Sequence, residues 1–272
     1  MNPVQATYLS SACLILLGLI LSWTTGEVHS ALIIIPLLVV AGVYSLSPQI
    51  MWWFWQRHPP DLPTDLAPLL QRFDLYRRLD LAGKREFRRR TFLLREATHV
   101  HGQAIEEIPP DIPIMVAASA ATIGFHRREF LLEGFNTVVF YRHYFPSPVH
   151  DVLHCSEMHS DDGAIIWTLN VFLRSCIEPK KYLHLGLYEY ARVLFYLDRG
   201  LASRMESLAL DYPQVERLTG FSEAKLKEFI GLDPLDLPAI TLVLFHTHRE
   251  EMSALEPATL SGIEAELTAI YI

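Results

Sequence analysis

The chain has 272 residues, half of them hydrophobic, and carries 31 acidic against 23 basic side chains for a formal net charge of −8. That balance excludes a general nucleic-acid binder, which needs a basic face to neutralise phosphates. Three cysteines, Cys13, Cys155 and Cys176, offer neither a disulfide framework nor metal-ligand spacing, and they suit a reducing compartment.

The N-terminal part differs from everything after it. Tyr8 to Trp23 and Ala31 to Trp55 contain no charged residue, and each is long enough, or nearly so, to cross about 30 Å of hydrocarbon at about 1.5 Å per helical residue. The short polar connector Thr24 to Ser30 makes the pair read as a helical hairpin of two transmembrane helices over residues 1–57. A cleaved signal peptide is not expected, because the first run lacks a basic leading segment and a second apolar run follows at once. Trp52, Trp53 and Trp55 followed by Arg57 and His58 fit the aromatic belt and basic flank of a membrane interface. The lysine and arginine bias lies after the second run, from Arg57 through Arg72 to Arg95, which puts the large domain in the cytoplasm and makes this a multi-pass inner-membrane protein.

Residues 58–69 form a proline-rich linker, with Pro59, Pro60, Pro63 and Pro68 fixing φ and removing backbone donors. One domain, residues 70–272, follows. Helical periodicity marks Asp65–Leu79, Lys84–His99, Ile112–Ile123, Lys181–Asp198, Leu201–Leu210, Glu223–Ile230 and Leu260–Ile270. Thr137–Tyr141 and Ala164–Thr168 are rich in β-branched and aromatic residues and read as strands. The basic stretch Lys84 to Arg90 is either a solvated helix face or a contact with anionic headgroups.

One helical stretch carries chemistry. Leu185 to Leu194 (LGLYEYARVL) has the layout of H-E-x-x-H, in which two histidines four apart grip zinc while the glutamate acts as general base. Glu189 holds the base position, but Tyr188 and Arg192 hold the histidine positions. A neutral phenol is a poor ligand near neutral pH, and a guanidinium has no lone pair and repels a dication.

The flanks give this stretch a context. Tyr182 to Leu187 before it, and Ala191, Val193 and Leu194 after it, resemble the N-L-G-L-H-E-x-A-H-A-L segment of the MtfA family of zinc-dependent peptidases. Val138 to Pro146 resembles that family's strand ending in Y-P, and His154 to Glu157 its H-x-G-E. Ala164 to Phe172 resembles its strand ending in S-W followed by a helix, while Phe87 to Phe92 and Ile108 to Gly124 resemble its first two helices. The resemblance spans most of residues 70–260. It implies an α+β, mostly helical zincin-like domain with a small sheet, whose edge binds extended substrate. It also implies a further helix over Ala239–Met252, before Pro257, with a third zinc-ligand position near Val243.

All three former metal-ligand positions, Tyr188, Arg192 and Val243, thus hold residues that do not ligate zinc, and no cofactor is expected. Arg192 lies three residues after Glu189, within reach across one helical turn. Its guanidinium either occupies part of the old metal site or forms an ordinary solvated ion pair. The expected function is non-catalytic binding of an unknown protein or peptide partner by a membrane-anchored domain, and one family member also binds a transcriptional repressor. The alternative is an active zinc metallopeptidase, aminopeptidase-like, with Glu189 as base and a rearranged site drawing ligands from His184, His154 and His246. A slip of one turn in the last helix would make Glu250 or Glu251 the third carboxylate.

Overall fold

A computed structural model describes residues 2–63 and 65–269; Thr64 in the expected linker and Ile270 at the end of the expected last helix lie outside them. The chain divides into two compact units, one ending at Pro60 and the other beginning at Asp61.

The first unit holds α1 (Pro3–Thr25), α2 (Ser30–Ser45) and α3 (Ser47–Arg57). α1 opens on a reciprocal cap: the Asn2 side chain accepts from the Gln5 amide at 2.8 Å, and the Gln5 side chain returns to the Asn2 amide. Each bond satisfies a donor that the first turn leaves free. Among the described residues, α1 is the one helix long and apolar enough to cross a membrane by itself. The expected second span is corrected: the run from Ala31 to Trp55 is not one helix but two, bent by 70°. The physical reason is Pro48, which has no N–H for the Tyr44 carbonyl one turn earlier, so the ladder is interrupted and the chain turns at Leu46.

The second unit is mostly helical around a small mixed sheet, an α+β arrangement. In chain order it contains α4 (Asp74–Arg78), α5 (Leu81–Ala97), β1 (His99–Gln103), α6 (Asp111–Ile123), β2 (Thr137–Tyr141), β3 (Ser156–His159), β4 (Ala164–Thr168), α7 (Leu169–Ile177), α8 (Leu185–Leu197), α9 (Arg199–Ser207), α10 (Tyr212–Thr219), α11 (Glu223–Ile230), α12 (Leu237–Thr247), α13 (Arg249–Leu255) and α14 (Pro257–Ala269). Two expected helices are divided. Asp65–Leu79 becomes a 3-10 turn over Ala67–Arg72 followed by α4, and Ala239–Met252 breaks at His248 between α12 and α13.

Sheet order is β1-β2-β4-β3, with β1, β2 and β4 parallel and β3 antiparallel at the edge. β3 pairs Ser156 with Trp167 and Glu157 with Ile166. The core lies between sheet and helices, where Trp167, Phe140 and Phe172 are fully buried and stack within 6 Å of one another.

Helix α6 is buried from Ile112 to Ile123 and packs against both α5 and α8. Its small residues, Ala117 to Ala121 around Ser119, allow a close approach. A Cβ at Gly186 would sit only 2.4 Å from the Ser119 hydroxyl oxygen, so glycine is what lets the first turn of α8 press onto α6. The basic stretch on α5 is partly structural. Arg90 is buried, donates to the carbonyls of Gly124, Phe125 and Arg127 at 2.8 to 3.1 Å, and pairs with Glu86. Arg89 also meets Glu86, and Arg88 donates to the Tyr76 hydroxyl at 3.0 Å.

Candidate functional site

Helix α8 carries Tyr188, Glu189 and Arg192, and the surrounding segments decide what each can do. Glu189 is fully buried, with 0% of its surface exposed. Its Oε1 accepts from the Ser156 hydroxyl at 2.6 Å, and its Oε2 accepts from Arg192 Nη1 at 2.8 Å. The serine comes from the edge strand β3, which reaches α8 because β3 lies outside β4 in the sheet. A charged acceptor bound by a hydroxyl and a guanidinium has strong, short contacts on both oxygens.

Arg192 keeps 24% of its side chain exposed, and its guanidinium carbon lies 5.7 Å from the centre of the Tyr188 ring. The negative charge of Glu189 is the main cause holding the Arg192 pKa above its ordinary value. Tyr188 is buried, and its hydroxyl accepts from the Asp236 amide at 3.1 Å. Asp236 also caps α12 through the Ala239 amide at 2.9 Å, so the phenol ties α8 to the start of α12. Burial raises the Tyr188 pKa.

This donor set does not fit zinc. A phenol engaged by a backbone amide, a guanidinium and, at Val243, a buried isopropyl group on α12 supply no ligand for a dication. Both oxygens of Glu189 are engaged, one by the Ser156 hydroxyl and the other by the Arg192 guanidinium.

Of the histidines expected to rebuild a site, His184 and His154 are hydrogen-bonded elsewhere, while the Nδ1 of His246 is buried without a partner among the described residues. His184 is the N-cap of α8: its Nδ1 accepts from the Leu187 amide at 3.3 Å, and its ring lies against Phe73. Burial pushes its pKa down to about 4. His154 is fully buried, with Nδ1 facing the Val152 carbonyl at 2.9 Å and Nε2 facing Glu157 Oε2 at 3.2 Å. His246 is buried on α12 against Phe245, and burial together with the nearby His126, Arg78 and Arg249 pushes its pKa well down. Of the fallback carboxylates, Glu251 pairs with Lys180 at 2.5 Å and Glu250 is exposed in the first turn of α13. Among the described residues, no group of three or more His, Cys, Asp or Glu side chains could hold a metal ion.

Asp236 escaped the sequence reasoning, because it carries no pattern at helical or strand spacing that would flag it. His154 to Glu157 stand out by their likeness to H-x-G-E, but nothing there points to Ser156 as the partner of Glu189 or to Glu157 as the partner of His154. Ser147 donates to Glu157 Oε1 at 3.0 Å and accepts from the His150 amide, which holds the loop before β3 in place. Cys155 is buried, and burial first, then the charge of Glu189, pushes its thiol up to about 12. It bonds the Phe229 carbonyl at 3.2 Å and is unreactive packing. The same segment passes close to the end of α11: Gly231 has a φ of +88°, and a Cβ there would lie 2.3 Å from the Leu153 carbonyl.

Tyr188 and Arg192 open onto a cleft of about 530 Å³, whose other walls are His150, Glu206 and the segment Leu232 to Pro238. No protein-family model, no curated protein and no solved structure matches the chain.

Proposed function

We propose that the protein is a membrane-anchored, MtfA-like domain of the zinc-dependent peptidase family that has lost catalysis and binds an extended peptide or protein segment in the cleft beside Arg192. The observation that carries this is the state of Glu189. Its carboxylate is buried, accepts from Ser156 on one oxygen and is paired with Arg192 on the other, so the arginine takes up the charge that a metal-site general base would direct at a water. The zincin-like reading draws support from the antiparallel edge strand β3, which delivers Ser156 to the helix bearing Glu189.

Localisation follows from α1, the helix able to cross a membrane. With the hairpin returning through α2, the protein is a multi-pass inner-membrane protein whose large domain lies in the cytoplasm, on the side favoured by its basic residues. The partner is a protein or peptide and not a nucleic acid, given the net charge of −8.

Two measurements test the reading. Plasma mass spectrometry of the purified chain after incubation with excess zinc is expected to show far less than stoichiometric metal; stoichiometric zinc with chelator-sensitive peptide cleavage would overturn it. A displayed library of random peptides, panned against the chain, is expected to yield binders that are lost in Leu232→Arg, which fills the cleft. Enriched peptides that bind the variant as well as the parent would remove the cleft from the account.

A further inference from the structure

We infer that α3 is an interfacial helix lying along the bilayer surface, with its apolar face in the boundary between headgroups and acyl chains, rather than the second half of a membrane span. The inference rests on the membrane-anchored reading of α1 and α2, and it concerns a surface which that reading does not use.

The first argument is length. α2 has 16 residues, about 24 Å of helix, just short of the hydrocarbon thickness, so its far end arrives near the opposite interface. α3 begins there, and it turns 70° away from α2. A helix turned that far from one running along the bilayer normal is inclined only about 20° to the surface.

The second argument is backbone chemistry. Pro48 supplies no helical amide to the Tyr44 carbonyl, which is met only by the Leu46 amide two residues on, and Leu46 itself is exposed at the break. Lipid-facing irregular backbone is disfavoured within hydrocarbon, whereas at the interface water completes its bonding. The break is therefore best accommodated where the membrane ends.

The third argument is the arrangement of side chains around α3. At about 100° per residue, Gln49 and Gln56 fall on one stripe, Trp52 and Trp53 lie on either side of it, and Ile50, Met51, Phe54 and Trp55 cover the opposite half. Tryptophans bordering a narrow polar stripe match the headgroup level, where the ring is buried and the indole N–H stays wet. Three of the five tryptophans of the chain are on this helix.

Charge completes the match. Arg57 is the one arginine or lysine in the first 57 residues. Its Nη1 donates to the Trp53 carbonyl at 3.2 Å, and its guanidinium carbon lies 4.1 Å from the centre of the Trp53 ring. A cation laid over an aromatic ring at the end of an amphipathic helix is placed for anionic headgroups.

The test is depth measurement by nitroxide labels on the full chain in vesicles of phosphatidylcholine mixed with phosphatidylglycerol. A Cys13→Ser background removes the exposed cysteine, since Cys155 and Cys176 are buried. Single labels are then placed by Gln49→Cys, Ile50→Cys, Phe54→Cys and Gln56→Cys, with Leu16→Cys in α1 and Leu38→Cys in α2 as references. Collision with oxygen against a water-soluble nickel chelate reports immersion. The expected result is a shared, shallow depth for positions 50 and 54, with positions 49 and 56 on the aqueous side. Steady deepening along α3, amounting to about 10 Å between positions 49 and 56, would overturn the proposal in favour of a broken span. Water exposure at every α3 position with Leu16 and Leu38 immersed would also overturn it while leaving the anchor intact. Water exposure at those two references as well would defeat the anchored reading itself.

Discussion

Glu157 and Glu189 are both buried carboxylates held by one serine hydroxyl and one basic side chain, but the basic partners differ. Glu189 meets Ser156 at 2.6 Å and the arginine of the same helix at 2.8 Å, whereas Glu157 meets Ser147 at 3.0 Å and His154 at 3.2 Å. Arginine keeps its proton at every accessible pH. His154 is held at both ring nitrogens, Nδ1 facing the Val152 carbonyl at 2.9 Å and Nε2 facing Glu157 at 3.2 Å. The Glu157 pair is sealed in the fold and fastens a loop. The Glu189 pair borders a cleft and sets the permanently charged guanidinium of Arg192 in its wall.

The largest expected effect comes from removing that fixed charge. Arg192→Met leaves a buried carboxylate uncompensated and is expected to cost about 3–5 kcal/mol in urea unfolding of the full chain in detergent. The double variant with Glu189→Met is expected to recover most of that loss, because an apolar pair replaces an ion pair with little net change. A cost below about 1 kcal/mol for Arg192→Met would mean that the pair behaves as a solvated surface bridge.

A third buried base extends the comparison, since His184 has no carboxylate partner. Its pKa of about 4 in the folded chain lies below the ordinary value of 6.5. Between those two values the unfolded chain binds a proton that the folded chain does not, so stability falls as pH drops through that window, by on the order of 3 kcal/mol. His184→Asn keeps a cap acceptor for the Leu187 amide but cannot titrate. Urea midpoints measured across the window should therefore depend on pH less steeply in the variant; an unchanged slope would place the proton elsewhere.

Ser156 and His154 sharpen the contrast at smaller scale. Ser156→Ala removes a donor from a fully buried charge and is expected to cost about 2 kcal/mol. His154→Gln retains an amide donor toward Glu157 and is expected to cost about 1 kcal/mol. If the two variants were reversed in order, the sealed pair rather than the cleft-side pair would be the more tightly coupled, and the comparison would fail.

Much of the frame was readable in advance. Thr137–Tyr141 and Ala164–Thr168 form strands at the expected residues, and α8 falls within the expected helix with Glu189 and Arg192 one turn apart. Both strands are β-branched and aromatic, and α8 has a sustained apolar face, so local pattern and burial agree. β1 and β3, with the sequences HVHGQ and SEMH, were not readable. Short, polar edge strands take their conformation from the neighbours that pair with them rather than from propensity. The second apolar run was misjudged for a different reason: hydropathy counts apolar residues but does not register the amide that Pro48 lacks.

What the sequence by itself determined is therefore the apolar N-terminal segment, the helix carrying the Y-E-x-x-R string and the reach of Arg192 to Glu189 across one turn. These depend on residue identity and on spacing along one element. Tertiary structure alone decided that Ser156 closes the second oxygen of Glu189 and that the Asp236 amide claims the phenol of Tyr188. Those partners come from segments far apart in the chain, and their meeting depends on how strands and helices cross in a close-packed core, which no periodicity along the sequence encodes.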